Sequence, residues 1–236
     1  MDTRITLIEL HGYREWTESL GYDREWKIQI TQSKIYYRLQ TEASRVNAYI
    51  LPLRHDFLIA LTSSLREAEH EKLFKTVENE SPVPVRMASI VDRTPKNALD
   101  EAFKVILDLE DGEYYYQEST GDEYTAVSHV DINSVTQYTL EHGVVEAYRK
   151  TMEMLYDLVR LSGLYDGIAQ YLGGDNIIVV FPPDSWAEAS RKLSFDWVKV
   201  GGGRARLART SMMLATKALD EIRRGYKSNV YLLEEH

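Results

Sequence analysis

The chain has no cysteine, and that absence removes more chemistry than any other property of its 236 residues. Without a thiol there is no disulfide framework, no thiolate nucleophile and no Cys-containing zinc site. Basic residues are also in short supply, 28 Lys and Arg against 37 Asp and Glu. The resulting net charge of −9 argues against non-specific nucleic-acid binding, which needs a basic field to release counterions. An anionic small ligand stays compatible, because helix N-termini and local charge can hold phosphate. No apolar run approaches the roughly 18 residues that a membrane-spanning helix needs. Met1-Asp2-Thr3-Arg4 opens almost directly into a strand-like run, with no basic-then-apolar signal segment. A cytoplasmic protein is expected, with neither membrane nor nucleic acid among its partners. The six histidines are scattered and form no HExxH pair, which disfavours a zinc enzyme. A hard cation held by carboxylates remains open.

What is present is a repeated order of elements. The first half reads as a strand at Arg4–Leu10, an amphipathic stretch from Tyr22 to Ala43, and a hairpin of Tyr49–Leu53 and Phe57–Thr62. A charged helix (Leu65–Glu78), a strand (Val83–Val91) and a helix (Thr94–Leu109, with Pro95 just inside its start) follow. The acidic, Tyr-rich stretch Asp108–Glu123 reads as a linker or exposed turn. The second half begins with a strand at Ala126–Ile132. Its first helix carries Val145, Tyr148, Met152, Leu155 and Val159 at the spacing of one face. A Gly-Gly-Asp hairpin spans Tyr171–Phe181, then come a helix (Ser185–Phe195), a strand (Asp196–Val200), a helix with Met212, Ala215, Leu219 and Ile222 on one face, and a strand (Asn229–Leu233). His11 precedes Asp131 by 120 (131 − 11), Asp56 precedes Asp175 by 119 (175 − 56), and Ala98-Leu99-Asp100-Glu101 recurs 120 later (218 − 98). The expectation is an α+β fold of two tandem ferredoxin-like, palm-type β-α-β-β-α-β units with antiparallel sheets, dividing into 1–112 and 113–236.

In such a unit the end of the first strand approaches the hairpin bend. In the second half these places hold Asp131 and Asp175, a pair suited to Mg²⁺, which keeps waters and is completed by substrate phosphates. The backbone carbonyl of Ile132 is a further candidate ligand, and Gly173 and Gly174 let a phosphate chain approach the backbone. The bland alternative is that Asp131 caps the strand and Asp175 satisfies the turn. Mutual repulsion of two neighbouring carboxylates favours the metal. The first half offers His11 and Asp56, a single carboxylate, and is expected to be structural or to serve binding and assembly. His129 shares a strand face with Asp131 and is a candidate proton shuttle, or a satisfied strand histidine. Asn133 and Asn176 flank the pair. Lys217 and Arg223 on the last helix are candidate triphosphate contacts, as is Arg204 after three glycines. The echo Tyr13-Arg14-Glu15-Trp16 and Tyr22-Asp23-Arg24-Glu25-Trp26 reads as interface packing, with purine stacking the sharper alternative.

A first-strand Asp followed by a Gly-Gly-Asp hairpin resembles the nucleotidyl cyclases and GGDEF-type cyclases. Nearly end to end, the chain resembles archaeal GTP cyclohydrolase III. The residues that carry the likeness are Tyr13-Arg14-Glu15-Trp16-Thr17 through Trp26, Gln32-Ser33-Lys34, Leu58-Ile59-Ala60, His129-Val130-Asp131-Ile132-Asn133, Tyr171 to Asn176, and Leu219 with Ile222-Arg223. The resemblance implies Mg²⁺-dependent conversion of GTP to a formylamino-pyrimidine nucleotide monophosphate and inorganic phosphate, without zinc, in flavin and F420 biosynthesis. It also implies K⁺ as an activator and a homo-oligomer. Two departures stand out: Arg54-His55-Asp56-Phe57 where the family has Arg-Phe-Asp-Asn, and Gly201-Gly202-Gly203-Arg204-Ala205 where it has Gly-Ile-Gly-Ile-Gly. A cyclase-like nucleotidyltransferase or a nucleotide-binding protein without turnover are the alternative functions.

Overall fold

Side-chain alternation builds the first sheet. In β1 (Thr3–Leu10), Ile5 and Leu7 enter one apolar cluster and Ile8 and Leu10 another, so the strand is covered on both faces. The computed structural model describes residues 1–225 and 227–235. After β1 come α1 (Tyr13–Ser19), α2 (Glu25–Val46), β2 (Tyr49–Pro52), β3 (Phe57–Leu61), α3 (Glu67–Glu80) and β4 (Val85–Asp92). The strands lie in the order β2-β3-β1-β4, all antiparallel. Ile35 and Leu39 of α2 and Leu73 and Val77 of α3 pack on the Ile8 face. This is the ferredoxin-like unit expected from the element order.

The unit then extends beyond that expectation. α4 (Pro95–Asp108) starts with Thr94 capping the Asn97 N–H at 3.1 Å, crosses to the opposite face, and leads to β5 (Tyr114–Tyr116). β5 joins β4 in parallel, so the sheet is not wholly antiparallel. The stretch expected to be a linker is therefore partly sheet. Its tyrosines are packing groups: Tyr114 lies 5.2 Å from Phe74 between ring centres, and Tyr116 donates to the Leu65 carbonyl at 3.0 Å. A division after residue 112 would separate β5 from the sheet it completes.

The second unit repeats the plan with β6 (Thr125–Ile132), α5 (Val135–His142), α6 (Val144–Gly163), β7 (Ile168–Gly173), β8 (Asn176–Val180), α7 (Trp186–Lys192), β9 (Val198–Ala205), α8 (Ala208–Arg223) and β10 (Val230–Glu234). Its sheet runs β7-β8-β6-β9-β10, with β10 parallel to β9. α6 and α7 cover one face through Met154, Leu158, Trp186 and Leu193. On the other face, Val127, Ile178, Ala208 and Ala215 join Ile5, Leu7, Ala98 and Ala102 in one cluster that binds the two units together. No described helix is long and apolar enough to cross a membrane.

Two expectations are corrected here. The stripe of Val145, Tyr148 and Val159 faces outward, at 58%, 60% and 49% exposure, while Ala147, Thr151, Met154, Leu158 and Ser162 are buried. The buried face mixes Met154 and Leu158 with small residues at Ala147, Thr151 and Ser162, and three of the larger apolar side chains lie outside it, so side-chain size misleads. The fixed offset of 120 also fails. β1 and β6 are offset by 122 (125 − 3), the hairpin pairs Tyr49↔Leu61 and Ile168↔Val180 by 119 (168 − 49), and β4 and β9 by 113 (198 − 85). Buried Ala98, Ala102 and Ile106 of α4 match Ser211, Ala215 and Leu219 of α8, again at 113 (211 − 98). The repeated Ala-Leu-Asp-Glu opens α4 but lies in the last turns of α8, and is coincidental. The duplication is real in topology, and the first-strand counterpart of Asp131 is Glu9 (131 − 122), not His11.

Candidate functional site

The second hairpin turns as tightly as its sequence allows. Gly173 pairs with Asn176 across a Gly174-Asp175 bend, with φ of 110° at Gly173 and 62° at Gly174, values that side-chain-bearing residues rarely adopt. The bend carries Asp175 to the end of β6, where its Oδ2 accepts the Ile132 N–H at 3.2 Å. Asp131, 5% exposed, shares a strand face with His129 and points to the layer that holds α8. Asp175 lies near enough to Asp131 to feel its charge. Burial, and then the charge of Asp131, push the Asp175 carboxyl above its ordinary range, while N–H donors and Arg223 oppose the shift.

The cations around the pair come from two elements. Arg223, at the end of α8, donates Nη2 to Asp131 Oδ2 and Nη1 to Asp220 Oδ1 at 3.2 Å. Lys199 of β9, directly across the sheet from Asp131, holds its Nζ 3.8 Å from Oδ1. Lys199 was missed in the sequence; its only signal is its place opposite Asp131 on the neighbouring strand.

His129 and Asn176 hold one another. His129 Nε2 and Asn176 Oδ1 lie 2.9 Å apart, and Asn176 Nδ2 donates to Gly173 O at 3.3 Å, so the hairpin, strand and ring are fixed as a unit. Asn176 Oδ1 can only accept, which leaves Nδ1 of His129 as the ring's acceptor; that atom is buried and unpartnered among the described residues. Burial pushes the His129 pKa down, so the ring is neutral at pH 7. Asn133 serves the backbone, with Nδ2 on Asp196 O at 3.1 Å, and its buried Oδ1 has no partner among the described residues. Beside Gly174 and Asp175 opens a pocket of about 450 Å³ lined by Thr136, Thr139, Leu140, Val144, Tyr148 and Thr151. Of these the sequence marks only Tyr148, and that as part of a helix stripe, because periodicity assigns residues to helix faces without showing the gap between α5 and α6.

Two expected phosphate contacts lie elsewhere. Arg204 pairs with Ala126 at the far end of the sheet, five residues along β9 from Lys199, or roughly 16 Å. There it donates to Pro183 O at 2.8 Å and pairs with Glu234 at 2.6 Å. The three glycines before it are no phosphate cradle. A Cβ at Gly203 would stand 2.0 Å from Ser211 O, and one at Gly201 2.4 Å from Ala215 O, because β9 and α8 meet backbone to backbone. Lys217 is exposed on α8, about two turns before Arg223 and without a polar partner among the described residues.

Two neighbouring carboxylates, one raised above its normal range by burial and then by the charge of the other, favour a cation, and a hard divalent ion bound through one or two carboxylates plus phosphate suits them. Among the described residues no three His, Asp or Glu side chains converge, so any such ion depends on substrate oxygens and water. Ile132 presents its N–H to Asp175; a carbonyl contact there stays an expectation.

The sequence model of the family described as GTP cyclohydrolase III matches residues 5–235. The chain belongs to the GTP cyclohydrolase III family. A GTP cyclohydrolase III of Aeropyrum pernix is 38% identical over 226 residues, 93% of this chain and 92% of that one. Those of Saccharolobus islandicus and Saccharolobus solfataricus are each 32% identical over 233 residues, covering 98% of this chain and all of theirs. Likeness to solved structures is remote: a bacterial light-regulated adenylyl cyclase aligns over 98% of this chain and 85% of its own at 12% identity and a TM-score of 0.41. A diguanylate cyclase/phosphodiesterase from Caldicellulosiruptor saccharolyticus covers 50% of this chain and 79% of its own, at 12% identity and a TM-score of 0.40. Within the GTP cyclohydrolase III family, the region just described is the candidate active site of this member.

Proposed function

We propose that this family member is a Mg²⁺-dependent GTP cyclohydrolase, activated by K⁺, that forms 2-amino-5-formylamino-6-(5-phosphoribosylamino)pyrimidin-4(3H)-one and two inorganic phosphates for archaeal flavin and F420 biosynthesis. The observation that carries the reading is Asp175, which borders the α5–α6 pocket and lies near enough to Asp131 to feel its charge, in a chain the family matches almost throughout. One water opens the imidazole ring, leaving C8 as the formyl carbon, and two more are consumed in releasing the β and γ phosphates. Mg²⁺ on Asp131 and Asp175 would neutralise phosphate oxygens and lower the pKa of a bound water.

The chain's own residues bind and orient. The positive-φ glycines expose backbone to the triphosphate, and Arg223 is within reach of its oxygens. The pocket accepts the purine, with Thr136 and Thr139 as polar groups among apolar walls. Fixing both ends of GTP supplies much of the rate enhancement through position. His129, neutral and with Nδ1 open, is the proton acceptor of choice near the pair.

Incubation with GTP and Mg²⁺, following purine absorbance and free phosphate, tests the proposal: absorbance falls as phosphate appears. GTP left intact across divalent metals and K⁺ concentrations overturns it, and a cyclic or dinucleotide product with an unchanged purine spectrum assigns nucleotidyl transfer instead. The homo-oligomer is also a proposal, supported by the apolar outer face of α6, where Val144, Val145, Tyr148 and Tyr156 are 73%, 58%, 60% and 62% exposed. A monomeric mass in solution counts against it.

A further inference from the structure

We infer that Arg223 is an exchangeable cation: it holds Asp131 while no divalent metal is bound, and passes to the triphosphate when a metal takes Asp131. This rests on the reading of Asp131 and Asp175 as the metal pair.

The geometry favours exchange over a fixed pair. The Arg223 side chain is 43% exposed while that of Asp131 is 7% exposed, so the guanidinium approaches a buried carboxylate from the solvent side and can swing out without unpacking anything. Its second contact, Asp220 at 3.2 Å on the same helix, is exposed too and cannot anchor it. Lys199, at 3.8 Å from the other oxygen, is too distant to take over the hydrogen bond that Arg223 leaves. Asp175 forms no ion pair among the described residues, so before metal arrives Arg223 is the closest positive charge to the pair. A divalent ion on the same Asp131 oxygen would face a like charge at contact distance, and one cation must leave. The freed guanidinium stays tethered at the end of α8, beside the position of the phosphate oxygens, where its planar fork suits two oxygens at once.

One broken ion pair then serves two ligands. The metal gains Asp131 and the phosphate gains Arg223, so each strengthens the binding of the other by the same factor. A plain electrostatic bystander would show no such coupling.

Mn²⁺ binding to the nucleotide-free protein, read by electron paramagnetic resonance or calorimetry, tests this directly. Arg223→Gln is expected to bind Mn²⁺ about fivefold tighter than wild type, the worth of a half-exposed pair. Arg224→Gln, which removes the neighbouring charge, should change affinity less than about twofold. Sulfate, compared with chloride at matched ionic strength, should tighten Mn²⁺ binding to wild type by capturing Arg223, and should not do so in Arg223→Gln. Equal Mn²⁺ affinity in wild type and Arg223→Gln, or a sulfate response that survives the substitution, overturns the exchange. The wild-type sulfate response alone decides the matter should the variant not fold. Unchanged Mn²⁺ affinity in Asp175→Asn would instead sink the metal pair itself.

Discussion

At the end of β1, Glu9 lies 3.0 Å from Arg86, whose guanidinium also donates to the Ile106 and Leu109 carbonyls at 3.3 Å, where α4 ends. At the end of β6, Asp131 has Lys199, the positional counterpart of Arg86, no nearer than 3.8 Å, and the half-exposed Arg223. The hairpins differ in the same sense. Asp56 is gripped by Arg54 of its own bend at 2.6 and 3.2 Å, whereas Asp175 receives the Ile132 N–H. Both units bring two carboxylates to one place. The first gives Glu9 a buried cation, Arg86, and Asp56 the exposed Arg54 of its own bend; the second leaves Asp131 to the half-exposed Arg223 and Asp175 with no ion pair among the described residues. A duplicated fold separates scaffold from site by how firmly the charges are compensated, not by whether the carboxylates are there.

The sharpest way to break this comparison is to neutralise one carboxylate at a time. Asp131→Asn or Asp175→Asn should lower GTP turnover by about a thousandfold, the scale expected when charge stabilisation at a reacting phosphate is lost. Glu9→Gln and Asp56→Asn should stay within a few-fold of wild type in a phosphate-release assay; equal losses in both units would end the distinction.

Next in size is a pair found only in the first unit. Arg4, with no exposed surface, donates to Glu123 at 2.7 and 3.0 Å and to Gln117 O at 2.8 Å, while its counterpart in β6 is Ala126. Arg4→Met should cost about 3–5 kcal/mol in urea unfolding by stranding Glu123, and adding Glu123→Gln should restore part of it.

Gly203→Ala probes the helix contact special to the second unit, where the counterpart in β4 is Ile90. A methyl 2.0 Å from a backbone oxygen should destabilise the fold by about 2–3 kcal/mol, while Ile90→Ala should cost about as much by leaving a cavity instead.

The smallest expected effect is on pH dependence. His70 of α3 is buried against Ser89, with Nε2 2.9 Å from the hydroxyl, and burial pushes its pKa down to about 4. A histidine depressed in the fold contributes stability above its unfolded pKa of about 6.5, and that contribution falls as pH drops toward 4. Unfolding free energy should fall across that window, and His70→Gln should flatten the slope.

The sequence shows the ferredoxin-like order plainly, because strands buried on both faces leave apolar runs between turn residues. It shows Asp131 and Asp175 as a pair, since a Gly-Gly-Asp bend and a strand-ending Asp sit at the positions the topology joins. It misplaces Arg204, because glycines that admit a helix look like glycines that admit a phosphate until the packing is seen. It overlooks Glu9 and Lys199, whose roles depend on register across strands rather than on neighbours in the chain. It misreads the faces of α6, where Val145, Tyr148 and Val159 point outward while Ala147, Thr151 and Ser162 complete the buried face.

The glycines of β9 carry one further consequence. Gly203 meets α8 at Ser211 and Ala215, and Gly201 meets it at Ala215 and Leu219. Two points of backbone contact, a turn or more apart, set both the height and the tilt of the helix, with no rotamer to absorb error. Arg223 is four residues beyond the second point. A strand that reads as featureless thus works as an alignment rail, and any side chain placed on it should be felt first as a change in where that guanidinium can reach.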